Sequence, residues 1–70
     1  MASIQRIERT VSNLINGNLS AAKRSARGLK YSDIFDWLTG SVGWSENRSR
    51  AYADYLTNRI DFRSFCAAIK

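Results

Sequence analysis

Apolar residues recur at helical spacing along this chain, and glycine rather than proline separates the resulting segments. Proline is absent, and each of the four glycines follows a stretch with this periodicity or lies between two of them. No stretch alternates apolar and polar residues for long enough to predict a strand. The sequence therefore predicts an all-α protein, a compact bundle of four or five short helices in a single small domain over residues 1–70.

Two short helices are predicted in the N-terminal part. The first covers residues 3–16, with Ser3 as its cap and Gly17 in the left-handed turn that follows. The second begins at a Ser20 cap and ends near Gly28. Its apolar side is Leu19, Ala22, Ala26 and Leu29. The two alanines predict a close approach to a neighbouring helix, with little burial per residue.

Three further helices are predicted, with Ser32, Ser45 and Asp61 as their caps. Residues 40–43 are expected to form a flexible connector between the third helix and the fourth, which covers about residues 45–58. The predicted core contains the large apolar residues of all five stripes: Ile4, Ile7, Val11, Leu14, Ile15, Leu19, Ile34, Phe35, Leu38, Tyr55, Leu56, Phe62, Phe65 and Ile69.

The net charge of +5 lies entirely in the segment 1–30, where six cations face a single carboxylate. In the segment 31–70, five cations balance five carboxylates. A field with this asymmetry attracts polyanions or an acidic protein surface.

The second predicted helix concentrates this charge. Lys23, Arg24 and Arg27 share the face opposite its alanines, and Lys30 extends that face. Arg6 and Arg9 project from the first helix. Cations at this density, with no acid among them, are typical of phosphate contacts. The alternative is a solvated face that serves solubility.

A second candidate site is the segment from Tyr31 to Arg59, which has roughly the helix lengths of a helix-turn-helix. The residues that would then enter a groove are Ser45, Asn47, Arg48, Arg50 and, at its margin, Glu46. Asparagine and arginine are the usual readers of adenine and guanine edges. Three features argue against this reading. The turn over residues 40–45 is long, Asp36 stands where the motif has a small residue, and the charges on the outer face of the fourth helix have pairing spacing. A structural helix pair is the favoured alternative.

Arg48 lies within the apolar arc of the fourth helix. The favoured interpretation is structural, with the guanidinium extended over Trp44 or Tyr52 in a cation–π contact. The alternative makes Trp44 and Arg48 an exposed anchor for a partner protein. Trp37, at the edge of the third helix, is open to the same two readings.

Histidine is absent and Cys66 is the single cysteine, so neither a metal nor another cofactor is expected. Cys66 has no neighbouring base, and a packing role is predicted. No catalytic motif is present, which indicates a protein that is not an enzyme. No apolar run is long enough for a membrane span, and a cytoplasmic protein is expected.

The leading hypothesis is a regulatory protein that binds nucleic acid through its N-terminal basic surface. The alternative is an inhibitor or adaptor that docks this surface on an acidic patch of a larger protein. In size, basic charge and helical pattern the chain is similar to small accessory proteins of phages and mobile elements, a general likeness that assigns no residue roles. A monomer and a homodimer both stay open, because so small a core gains from association.

Overall fold

Five α-helices form the fold in the computed structural model, which describes residues 4–69. They are α1 (Ile4–Ile15), α2 (Leu19–Ser25), α3 (Tyr31–Asp36), α4 (Glu46–Leu56) and α5 (Phe62–Ala68), with a π-helical segment, Trp37–Val42, continuing α3. The described residues contain no strand, so the predicted all-α bundle is confirmed.

Helices α1 and α2 pack against each other after a tight turn. Gly17 makes this turn at φ +80°, as its position predicts. Ser3, the predicted cap of α1, lies outside the described residues. The Ser20 cap is wrong, because α2 begins at Leu19 and Ser20 falls in its first turn. The alanine prediction is confirmed, since Ala22 and Ala26 are fully or almost fully buried.

The predicted connector over residues 40–43 is also wrong, because the chain stays helical to Val42. The Thr39 hydroxyl donates to the Phe35 carbonyl at 2.9 Å, a bond that competes with the backbone ladder and loosens a helix. Gly43 then ends the segment at φ +84°, and the Leu38 carbonyl accepts the Trp44 N–H at 2.9 Å. A short turn over residues 43–45 therefore leads into α4.

Side-chain caps define the starts of α4 and α5. Ser45 caps α4 by accepting the Arg48 N–H at 3.3 Å, and Asp61 caps α5 by accepting the Ser64 N–H at 2.8 Å. Both predictions are confirmed. Ser32 is not a cap, because α3 already begins at Tyr31.

The buried core matches the predicted one at its centre and differs at its ends. Ile7, Val11, Leu14, Ile34, Leu38, Leu56 and Phe65 are buried, and Leu19, Phe35 and Tyr55 are half-buried. Four predicted core residues are exposed: Ile4 and Ile15 at 60 %, Phe62 at 54 % and Ile69 at 41 %. Each lies at the end of a helix or just beyond it, where neighbouring helices no longer cover the apolar stripe.

Polar and small residues take part of the core instead. Thr10 and Ser49 are completely buried, as is Ala53. The buried face of α4 is therefore centred on Ser49 and Ala53, and Tyr52 and Tyr55 lie at its edge, where they are half-buried.

We expect the loss of one methylene group to reduce stability at the centre of the core but not at the end of α1. Ile34 is 1 % exposed, so Ile34→Val should lower the free energy of unfolding by about 0.5–1.5 kcal/mol. The same change at exposed Ile15 should stay within about 0.5 kcal/mol of the wild type. Urea denaturation followed by circular dichroism measures both, and equal losses would contradict the burial described here.

The cap of α5 makes stability depend on pH. The hydrogen bond from the Ser64 N–H lowers the pKa of Asp61 below its ordinary value of 3.8. The charged cap therefore stabilises the fold fully above that value, and its contribution is lost as the pH falls through the lowered pKa. Asp61→Ala should reduce Tm at neutral pH, and the difference from wild type should shrink in more acidic solution.

Asp61→Asn is the matched control, because asparagine also caps helices but does not titrate. The difference in Tm between the asparagine and alanine variants should be independent of pH. A wild-type advantage over Asp61→Ala that stays constant on acidification would refute this account of the cap.

Candidate polyanion-binding surface

Helix α2 carries cations outward because its inner face is alanine. Ala22 and Ala26 are buried, so the side chains on the opposite face project from the bundle. Arg24 and Arg27 are exposed as predicted.

Lys23 departs from the predicted arrangement. It is half-buried, and its Nζ lies 4.1 Å from the centre of the Tyr55 ring. This cation–π contact ties α2 to α4. Lys23 therefore does not stand free in solvent beside Arg24, although its charge stays at the same surface.

Arg6 joins α1 to the end of α2. Its Nη1 donates to the Arg27 carbonyl at 2.9 Å, where a helix end leaves carbonyls unsatisfied and favours a cation. Gly28 follows at φ +89°, and a Cβ there would lie 3.5 Å from the same Nη1. This contact holds Arg6 beside α2 and brings together cations that are distant in the sequence.

Three shallow depressions meet at Arg24. The first is a cleft between α1 and α2 of about 510 Å³, lined by Gln5, Arg6, Arg9, Arg24 and Ser25. The second is a groove of about 490 Å³ between α2 and the end of α4, lined in part by Lys23, Arg24, Arg27, Tyr55 and Asn58. The third, of about 610 Å³, lies at the start of α2 and includes Arg24, Tyr55 and Phe62.

No carboxylate lines any of these three depressions among the residues that the structure describes. We call the region formed by Arg6, Arg9, Lys23, Arg24 and Arg27 the Arg24 surface. Such a surface can neutralise several phosphates at once, since guanidinium groups match phosphate oxygens in a bidentate way.

Lys30 is the exposed residue that precedes α3, where its N–H donates to the Asp33 carboxylate at 3.4 Å. It lines none of the three depressions. Its neighbours Gly28 and Leu29 line the groove between α2 and α4, and the continuation of the basic face through Lys30 stays a prediction.

The predicted stacking of Arg48 is confirmed. Its Cζ lies 3.9 Å from the Trp44 ring centre and 5.8 Å from that of Tyr52. Trp37 and Trp44 are half-buried against the core. A similar contact, which the sequence did not predict, places the Arg59 Cζ 4.8 Å from the Tyr31 ring centre. Tyr31 begins α3 and Arg59 follows α4, so no local spacing could predict it.

The helix-turn-helix hypothesis gains one feature. The turn between the π-helical segment and α4 covers only residues 43–45, so the objection to a long turn is wrong. Asn47, Arg48 and Arg50 are all exposed, and the Arg48 guanidinium also lies over the Trp44 ring. Base reading by α4 stays a prediction.

Within residues 4–69, no group of three or more histidine, cysteine, aspartate or glutamate side chains is placed to hold a metal ion. Cys66 is a half-buried free thiol. In that same range, every helix is too short or too polar to cross a membrane.

A comparison of the chain with protein-family models, curated proteins and solved structures finds no match. Function is therefore inferred from the chemistry of the surface alone.

The stacking of Arg48 should be measurable as stability. Arg48→Ala should lower the free energy of unfolding by about 0.5–1 kcal/mol, because it removes a cation from the Trp44 ring. Arg50→Ala is the control, since Arg50 is an exposed arginine of the same helix for which the structure describes no ring contact. Urea denaturation compares them, and an equal effect of both substitutions would contradict a structural role for Arg48.

Proposed function

We propose that this chain is a non-enzymatic protein that binds nucleic acid through the Arg24 surface, mainly by contacts to phosphates, in a regulatory role. The observation that carries this proposal is the convergence at Arg24. Cations from α1 and α2 line depressions that no carboxylate of the described residues enters.

Electrostatics explains why such a surface favours a polyanion. Each phosphate that a lysine or arginine neutralises releases condensed counterions, and this release drives binding independently of sequence. An isolated charge patch of one sign also costs self-repulsion in the folded state, which a bound polyanion removes.

An acidic patch on a partner protein is the second candidate. It would be favoured by exposed aromatic side chains beside the cations, because such residues dominate protein interfaces. Trp37, Trp44 and Tyr52 are half-buried and pack against the core, so these three offer no exposed anchor of that kind. Phe62, however, is 54 % exposed and lines a depression with Arg24, so the exposure of aromatic residues does not decide between the two partners and the experiment below does.

Two further expectations belong to the proposal. A cytoplasmic location gives access to nucleic acid and keeps the Cys66 thiol reduced. Self-association would place two Arg24 surfaces on one ligand and raise the avidity of binding.

The proposal is tested by removing charge from the surface. Replacing Arg24 and Arg27 together by alanine should weaken binding to duplex DNA of any sequence. It should also flatten the slope of log affinity against log salt by up to ~2 units, about 0.9 for each lost phosphate contact. Fluorescence anisotropy at several salt concentrations measures both quantities.

Arg50 and Arg63, replaced together by alanine, form the matched control. Both are exposed and the loss of charge is the same, but they lie in the charge-balanced part of the chain. Their variant should keep the wild-type slope. Equal weakening by both double variants would contradict a specific role for the Arg24 surface, since either net charge alone or contacts made by Arg50 on α4 would explain it. If the Arg24 and Arg27 variant instead slowed association with an acidic protein and left weak DNA binding unchanged, the second candidate would replace the first.

A further inference from the structure

Phe62 is an exposed aromatic ring at the edge of the Arg24 surface. It is the first residue of α5 and is 54 % exposed, although a phenylalanine gains much by burial. Phe62 and Arg24 line the same depression, which joins the start of α2 to the ends of α4 and α5 that face it.

Neighbouring rings hold Phe62 in place. Its ring centre lies 5.9 Å from that of Tyr55 in an edge-on arrangement and 6.2 Å from that of Phe65. Phe65 is buried, so this support is part of the protein interior. The exposed ring therefore packs on one side against the aromatic cluster of α4 and α5.

Tyr55, the other aromatic residue of this depression, is already engaged. Phe65 stacks on it with ring centres 4.8 Å apart, and the Lys23 Nζ lies 4.1 Å from its centre. Phe62 is thus the ring that can receive a further planar group.

The charge around Phe62 suits a nucleotide. Arg24 lines the same depression as Phe62, Lys23 lies over the neighbouring Tyr55 ring, and no carboxylate lines this depression among the described residues. Asp61 precedes Phe62 in the chain, but its carboxylate accepts the Ser64 N–H at the start of α5. An aromatic face beside a cationic groove is the combination that recognises unpaired bases and their phosphates.

We propose that the ligand is single-stranded nucleic acid, one base of which stacks on Phe62 while Arg24 contacts an adjacent phosphate. This inference rests on the proposed function and narrows it. In a duplex the bases already stack on one another, so Phe62 adds affinity only for a strand whose bases are free.

The test uses the full chain and a labelled single-stranded DNA of about 15 nucleotides, a length in the range of small single-strand sites. The same strand annealed to its complement is the second probe. The wild type should bind the single strand more tightly than the duplex. Phe62→Leu keeps an apolar side chain for packing but removes the ring face. It should weaken single-strand binding roughly 5- to 100-fold, as for one lost base stack, with an unchanged salt slope and unchanged duplex affinity.

Two variants complete the experiment. Phe62→Trp should retain tight single-strand binding because it restores an aromatic face. Ile69→Ala removes another exposed apolar side chain, one residue beyond the end of α5, and should have no effect. Circular dichroism confirms that each variant is folded. If Phe62→Leu unfolds, the comparison of Phe62→Trp with the wild type decides, and a strong loss of affinity in a folded Phe62→Trp overturns the proposal.

The two proposals fail in different ways. Unchanged single-strand affinity in a folded Phe62→Leu variant, or tighter binding of the wild type to duplex, overturns base stacking but leaves the salt-dependent contribution of Arg24 intact. Absence of wild-type binding to both probes at low salt overturns the proposed function and this inference with it.

Discussion

The close packing of α2 through alanine is the constraint on which the candidate site depends. Ala22 and Ala26 are so small that α2 lies directly on the bundle, and its long charged side chains are left on the outer side. Those side chains are Lys23, Arg24 and, just past the helix end, Arg27. A larger residue at Ala22 would push the helix outward, separating the Arg6 guanidinium from the Arg27 carbonyl and widening the cleft between α1 and α2. The packing of Ala22 and Ala26 in the core therefore also determines the shape of the basic surface.

Local signals in the sequence predicted the parts of the fold that depend on few residues. A cap needs one side chain and one nearby N–H, so Ser45 and Asp61 could be assigned without tertiary information. The stacking of Arg48 on Trp44 is similarly local, since the two residues lie one turn apart at the start of α4. The exposed positions of Arg24 and Arg27 followed from the alanines opposite them.

Other features depend on which surfaces a neighbouring helix covers. The periodicity of the sequence carries no information about that. Ile15 continues the stripe of α1 and Phe62 continues that of α5, but both extend past their partners and are exposed. Ser49 is the opposite case, a polar residue that lies outside the apolar stripe and is completely buried. Lys23 shows the same limit at the candidate site, because nothing near it in sequence indicates that Tyr55, on a different helix, lies under its ammonium group.

The residue types that supply the charge of the Arg24 surface predict how its binding depends on salt and pH. Apart from Lys23, every cation of the Arg24 surface is an arginine, whose planar guanidinium matches phosphate oxygens in a bidentate way. Lys23 itself is partly engaged in holding α2 against Tyr55. The sequence contains no histidine that could add or remove charge near neutrality. Salt acts differently, because it screens exposed charges and competes for every phosphate contact. If the Arg24 surface binds nucleic acid as proposed, its affinity should change with ionic strength and with the availability of unpaired bases, and very little with pH near neutrality.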